Sequence, residues 1–167
     1  MSDRSLSLLF LGNSNSSRTI LAEALLRSYG EGGHFRAFST GIQPEPEIHP
    51  IALELIQGAG LPTEGLYCKE LGEFTRLGAP RIDGIISLYD SEVGEICPLW
   101  PGRPPTAQWH IANPARVGGS RVEQLAAFKR VLRHLENRVR LLICLRFEAL
   151  ERLILRGENS PSDKLGA

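Results

Sequence analysis

The sequence predicts an α/β fold, a three-layer sandwich with a central, mostly parallel four-stranded sheet and helices on both faces. Two observations carry that expectation. Short apolar runs alternate with segments of helical period along the whole chain, as in a parallel sheet covered on both sides. The 167 residues show no internal repeat and no second domain, so one core accounts for the length.

Leu6–Leu11 reads as the first strand and Ile20–Tyr29 as the first helix, ended by Gly30 and Gly32-Gly33. Phe35–Ser39 is a short second strand, and Gly41–Pro50 a proline-rich connection. Pro50 suits the first turn of a helix running to about Ala59, with Ala52, Leu55, Ile56 and Ala59 as its buried face. Leu71–Leu77 reads as another short helix before Gly78 and Pro80. Ile82–Leu88 is the strongest strand, and Gln108–Ile111 the fourth. A long helix follows Gly118-Gly119, with Ser120 as N-cap and Glu123 completing a capping box. Its apolar stripe is Val122, Leu125, Phe128, Leu132, Leu135, Val139 and Leu142. Phe147–Leu155 adds a last turn or two, the domain spans 1–157, and residues 158–167 read as a disordered tail. Handedness rules put the ligand site of such a sheet at the carboxyl ends of its strands.

Composition excludes several functions. Lys plus Arg and Asp plus Glu both number 19, so no net charge draws in nucleic acid or anionic lipid, and neither is expected as a partner. No apolar run approaches the roughly 20 residues of a membrane span. Leu6–Leu11 is too short for a signal-peptide core, which makes cytoplasmic residence the expectation. Cys68, Cys97 and Cys144 form neither CxxC nor zinc spacing and read as free thiols, with Cys144 buried in an apolar run. His34, His49, His110 and His134 form no HxxxH pair, so no metal or other cofactor is assigned.

The chemistry concentrates between Gly12 and Thr19. An apolar strand runs into small polar residues, and Arg18 opens the first helix. Backbone N–H groups of such a turn converge, and the helix start adds about half a positive charge. With a guanidinium they make a cradle for a tetrahedral oxyanion. The candidate binding set is Asn13, Ser14, Asn15, Ser16, Ser17, Arg18 and Thr19, with Asn15 suited to a left-handed backbone. A serine-capped strand-to-helix turn with a solvated arginine is the blander reading. The basic residues Arg121, Lys129, Arg130, Arg133, Arg138 and Arg140 read as the wet face of the long helix.

The segment resembles the active-site loop of low-molecular-weight protein tyrosine phosphatases and the thioredoxin-coupled arsenate reductases that share their fold. That loop runs Cys, five residues, Arg, Ser/Thr, then Ala-Glu-Ala; Arg18, Thr19 and Ala22-Glu23-Ala24 fall in place. The resemblance continues through Ser39-Thr40-Gly41, His49-Pro50, Lys69–Phe74, Ile85–Asp90, Cys97–Gly102, Gln108–Ala115 and Gln124–Phe128, covering about residues 6–155. It implies the family's fold and an oxyanion site. Gly12, however, stands where the resemblance puts the nucleophilic cysteine, Asn113 where it puts the acidic Asp of Asp-Pro, and Tyr89 at a relay cysteine. A shifted register, with a two-residue insertion, puts Phe10 at the nucleophile position instead.

The sequence therefore suggests a degenerate phosphatase/arsenate reductase-like protein without either activity. Its expected ligand is phosphate, arsenate or a phosphorylated molecule, in a sensing, sequestering or regulatory role. One alternative is an enzyme using a loop serine or water, with Asp90 or His110 as base. The other is a structural module, a binder of a protein partner or a homo-oligomer, with a vestigial pocket. Loss of the thiolate favours anion binding, because a thiolate about 4 Å from a dianion repels it; a small void at Gly12 is the expected cost.

Overall fold

The computed structural model describes residues 5–30, 34–89, 100, 102–145 and 149. The sheet comprises β1 (Leu6–Gly12), β2 (Phe35–Gly41), β3 (Gly84–Tyr89) and β4 (Thr106–His110). The order is β2-β1-β3-β4, and every pairing is parallel. The helices are α1 (Arg18–Tyr29), α2 (Pro50–Gly58), α3 (Gly72–Thr75) and α4 (Arg121–Cys144), with a 3₁₀ turn at Pro114–Arg116.

Strand alternation divides the apolar residues between two layers. Leu6, Leu8 and Phe10 of β1 point toward α1, α2 and α4, where Leu21, Leu25, Ile56, Phe128, Leu135 and Val139 complete the larger core. Leu9 and Leu11 point the other way and pack with Phe74 of α3, Ile82, Ile85 and Trp100. Because β1 pairs with β2 on one side and β3 on the other, the chain leaves its carboxyl end at a switch point of the sheet. The segment between β1 and α1 sits there.

Helix ends follow local chemistry. Pro50 occupies the first turn of α2, and His49 caps it through Nδ1, which accepts from the Ile51 amide at 3.3 Å. Ser120 and Glu123 form both halves of the capping box on α4. Element ends differ from expectation by a residue or two, as at β2, which continues to Gly41. Four side chains lie elsewhere than expected. Val122 is exposed because the buried stripe of α4 begins only at Ala127. Ala59 is exposed just beyond the end of α2, and Cys144 is exposed in the last turn of α4. Arg138 is half-buried, its guanidinium 5.5 Å over the Trp109 ring. The expected last turn at Phe147–Leu155, apart from Ala149, and the tail 158–167 lie outside the described residues. No helix among those described is long and apolar enough to cross a membrane.

Candidate oxyanion-binding site

The loop from Gly12 to Thr19 is shaped by what it hands to its neighbours. Ile42, Gln43, Glu45 and His49 donate their amides to the carbonyls of Gly12, Asn13, Ser14 and Ser16, at 2.8–3.1 Å. Every peptide among the described residues is trans. Each fixed carbonyl therefore turns the next N–H to the opposite side, which aligns the amides of Asn13, Ser14, Asn15 and Ser17 away from the 42–49 segment. The first turn of α1 adds its own N–H groups and the positive end of its dipole. Close approach of the two strands of chain requires Gly41, where a Cβ would lie 2.6 Å from the Asn13 carbonyl oxygen.

Asn15 holds the middle of the loop. Its φ is 47°, in the left-handed region, and its side chain is buried. Nδ2 donates to Thr19 Oγ1 and to Ser39 Oγ, both at 2.9 Å, while Oδ1 accepts the Lys69 amide at 2.7 Å. Both amide N–H groups and one lone pair of the oxygen are thus used within the protein. Ser39 in turn donates to Glu23, a wholly buried carboxylate of α1. Glu23 is neutralised by Arg27 Nη2 at 2.5 Å and Lys69 Nζ at 3.3 Å. Burial pushes the Lys69 ammonium below the usual lysine range, and Glu23 pulls it partly back. Lys69 Nζ also donates to the Tyr67 carbonyl and sits 4.5 Å over the Tyr67 ring.

Arg18 is buried at the head of α1, and its Nη1 donates to the Ile111 carbonyl at 2.8 Å beyond β4. The solvated-arginine reading is therefore excluded. Ser17 Oγ is buried and has no hydrogen-bond partner among the described residues, and it does not cap the helix it precedes. Ser14 and Ser16 share a hydroxyl hydrogen bond at 3.1 Å. The void expected at Gly12 is taken up by Thr19: a Cβ built on Gly12 would lie 2.9 Å from the Thr19 γ-methyl. Phe10 is wholly buried inside β1 against Trp109, so the shifted register would put a nucleophile in the core instead of on the loop.

The loop opens into a groove of about 610 Å³, where Asn13, Ser14 and Ser16 meet the segment Glu45–Pro50 and the turn at Asn113–Arg116. Asn113 Oδ1 accepts the Ala115 amide at 3.1 Å and so caps that turn. His49 stacks on Phe128 at 4.6 Å, and burial lowers its pKa.

The family model for low molecular weight phosphotyrosine protein phosphatases matches residues 7–153. The chain belongs to that family. An arsenate reductase of Bacillus subtilis (strain 168) is 25% identical over 131 residues, covering 78% of this chain and 90% of that protein. Among solved structures, an arsenate reductase from Archaeoglobus fulgidus DSM 4304 superposes with a TM-score of 0.65 at 24% identity, covering 81% of this chain and 98% of its own. The Erwinia amylovora tyrosine phosphatase AmsI gives a TM-score of 0.62 at 18% identity, covering 86% and 95%. A further arsenate reductase, in the phosphate binding state, gives 0.65 at 23% identity, covering 83% and 96%.

Within this phosphatase fold, Asn13, Ser14, Ser16 and Asn113 line one groove, Asn15, Ser17, Arg18 and Thr19 are buried behind it, and Tyr89 ends β3 and packs on His110, ring centroids 5.2 Å apart. Asp90 and Cys97 lie outside the described residues. Sequence reasoning missed Glu23, Ser39 and Lys69 as the support of the loop; Glu23 between two alanines of a buried helix face was the available signal. It also missed Glu45 and Glu47 beside the loop.

Two predictions follow from the loop's support. Asn15→Ala should cost about 3 kcal/mol in urea unfolding, since it leaves buried groups unsatisfied and forces alanine to positive φ; Asn15→Gly should recover only part of that loss. Stability should also fall as pH drops below 6.5, because unfolded His49 protonates there while the folded imidazole resists until a lower pH. His134 is lowered in the same direction, by burial and then by Arg138 and His110. Unfolding curves from pH 8 to 5 should therefore lose part of their slope in His49→Gln and more in the double variant with His134→Gln.

Proposed function

We propose that this chain is a catalytically degenerate member of its family that binds phosphate, arsenate or a phosphorylated ligand in the Gly12–Thr19 loop. Its role is to sense, sequester or regulate through that ligand. The observation that carries this reading is the pinning of the loop carbonyls to the 42–49 segment, which leaves a row of amides facing the other way at the start of α1. The buried Ser17 hydroxyl, without a hydrogen-bond partner among the described residues, supplies a further donor on the same loop. An arsenate reductase of the same fold is known in a phosphate binding state, which supports the ligand class.

Turnover lacks its reagents. No cysteine occurs between Gly12 and Thr19, and the Thr19 methyl fills the space where a nucleophile's Cβ would stand. Asn113 has no proton to donate to a leaving oxygen, and its side-chain oxygen is committed to capping the Pro114–Arg116 turn. A serine replacing the thiolate needs a positioned base, and no histidine or carboxylate hydrogen-bonds Ser17 among the described residues.

Calorimetric titration of phosphate and arsenate, alongside a phosphoester turnover assay, tests the proposal. Saturable binding without turnover at any pH is expected, with Arg18→Ala weakening it roughly tenfold or more through loss of a charge-assisted donor. Turnover by the native protein that Ser17→Ala abolishes would establish an enzyme of altered chemistry instead. Absence of heat from the folded protein would exclude free oxyanion as the ligand. The triple change Gly12→Cys, Thr19→Ser and Asn113→Asp should create detectable phosphatase activity, the second substitution making room for the first.

A further inference from the structure

His49 joins the anion loop to two helices, and its ring can change charge. Its amide donates to the Ser16 carbonyl at 2.9 Å, the bond that turns the Ser17 N–H to the opposite side of the loop. Its Nδ1 accepts the Ile51 amide at 3.3 Å and so caps α2 in front of Pro50. Its ring stacks on Phe128 of α4, centroids 4.6 Å apart. Nδ1 accepts only while it carries no proton. An imidazolium would set N–H against N–H at that cap, and the amide of Ile51, a residue 3% exposed, would lose its partner. The ring then has to leave both the cap and Phe128, and the bond to Ser16 starts from the same residue. The charged groups that share its groove are Glu45 and Glu47 on its own segment and Arg116 on the Pro114–Arg116 turn, all exposed and screened. On the helices beside it, Glu54 of α2 pairs with Arg121 of α4, and Glu123 of α4 is held in its capping box. Lys129 and Arg130, next to Phe128 in sequence, are exposed on α4. Burial outweighs these charges and holds the imidazole below its ordinary pKa, so the neutral, capping form prevails at neutral pH.

We propose that His49 is a positioning residue that couples the loop's oxyanion affinity to pH: the neutral imidazole holds the Ser16–Ser17 peptide for the anion, and protonation releases it. The inference rests on the oxyanion-binding reading of the loop and adds its regulation. His49 does not contact the anion; it acts through the Ser16 carbonyl and the start of α2. Linkage makes the coupling reciprocal, so a bound anion lowers the proton affinity of His49 by the same factor that protonation lowers anion affinity. A direct charge contact would do the reverse, because an oxyanion beside an imidazole favours the charged ring. The sign of the coupling therefore separates positioning from simple attraction.

Inorganic phosphate titrated by calorimetry into the native protein, His49→Asn and His49→Ala tests this, from pH 8 down to the pH at which NMR shows the His49 ring protonated in folded protein. Asparagine keeps an N-cap oxygen and the backbone amide but does not titrate. Phosphate changes its own ionisation over the range, and that change cancels in the ratio of native to His49→Asn affinity. The ratio should fall about threefold or more across the titration of the ring, and His49→Ala should bind phosphate about threefold or more weaker than the native protein at pH 8. The His49 ring protons should titrate at a lower pH with phosphate bound than without it. A constant ratio, or a His49 pKa raised by phosphate, would overturn the assignment and leave the oxyanion reading intact. Absence of phosphate binding to every folded protein at every pH would overturn both. If His49→Ala does not fold, the affinity ratio and the ring titration decide the question without it.

Discussion

Asn15 is the residue on which the site depends. At a φ of 47° it bends the chain between the end of β1 and the start of α1, and its side chain holds that bend with both N–H groups and its oxygen. Its partners come from three places: Thr19 on α1, Ser39 on β2 and the Lys69 amide before α3. One amide thus ties together the elements that surround the loop. Beneath it, Glu23 fixes Ser39 and receives Arg27 and Lys69, so the buried charge is paired on more than one side. Removing any one member leaves a buried charge or donor unmatched, which costs more than the intact network contributes. The network's work is geometric: it holds the loop's path through Asn15 and does not use the side chain at position 12.

That independence explains how a phosphatase-family loop can stand without a cysteine. The carbonyls of Gly12, Asn13, Ser14 and Ser16 are satisfied by the 42–49 segment, and none of those bonds involves position 12's side chain. The Thr19 γ-methyl stands beside Gly12, 2.9 Å from where a Cβ would lie. Gly41 matters for the opposite reason. It lies against the Asn13 carbonyl so closely that even an alanine would push the two segments apart. The loop's path therefore depends on the absence of a side chain at Gly41 more than on any side chain at position 12.

Much of the fold was legible in the sequence because period and punctuation agree there. The run Leu6–Leu11, the Ser120–Glu123 box and Pro50 at the start of α2 each have a local cause, and each appears where that cause puts it. Val122 and Cys144 misled because helical period marks a stripe but not where a neighbouring element stops covering it. Arg138 misled because a long cationic side chain can lie on an aromatic ring. In the site, Gly12–Thr19 and Asn113 were readable as a pattern. Glu23, Ser39 and Lys69 were not, since their meeting depends on three segments packing behind the loop. The acidic pair Glu45 and Glu47 looked like an ordinary proline-rich connection until the fold put it beside the loop.

The central claim is that the aligned backbone amides, and not a nucleophile, are the working part of this loop. Amide proton and nitrogen shifts followed by NMR during a phosphate titration test it most directly. The account predicts saturable shifts at Asn13, Ser14, Asn15, Ser17 and Arg18, moving together with one dissociation constant. Shifts confined to other surfaces of the folded protein, or none at all, would contradict it.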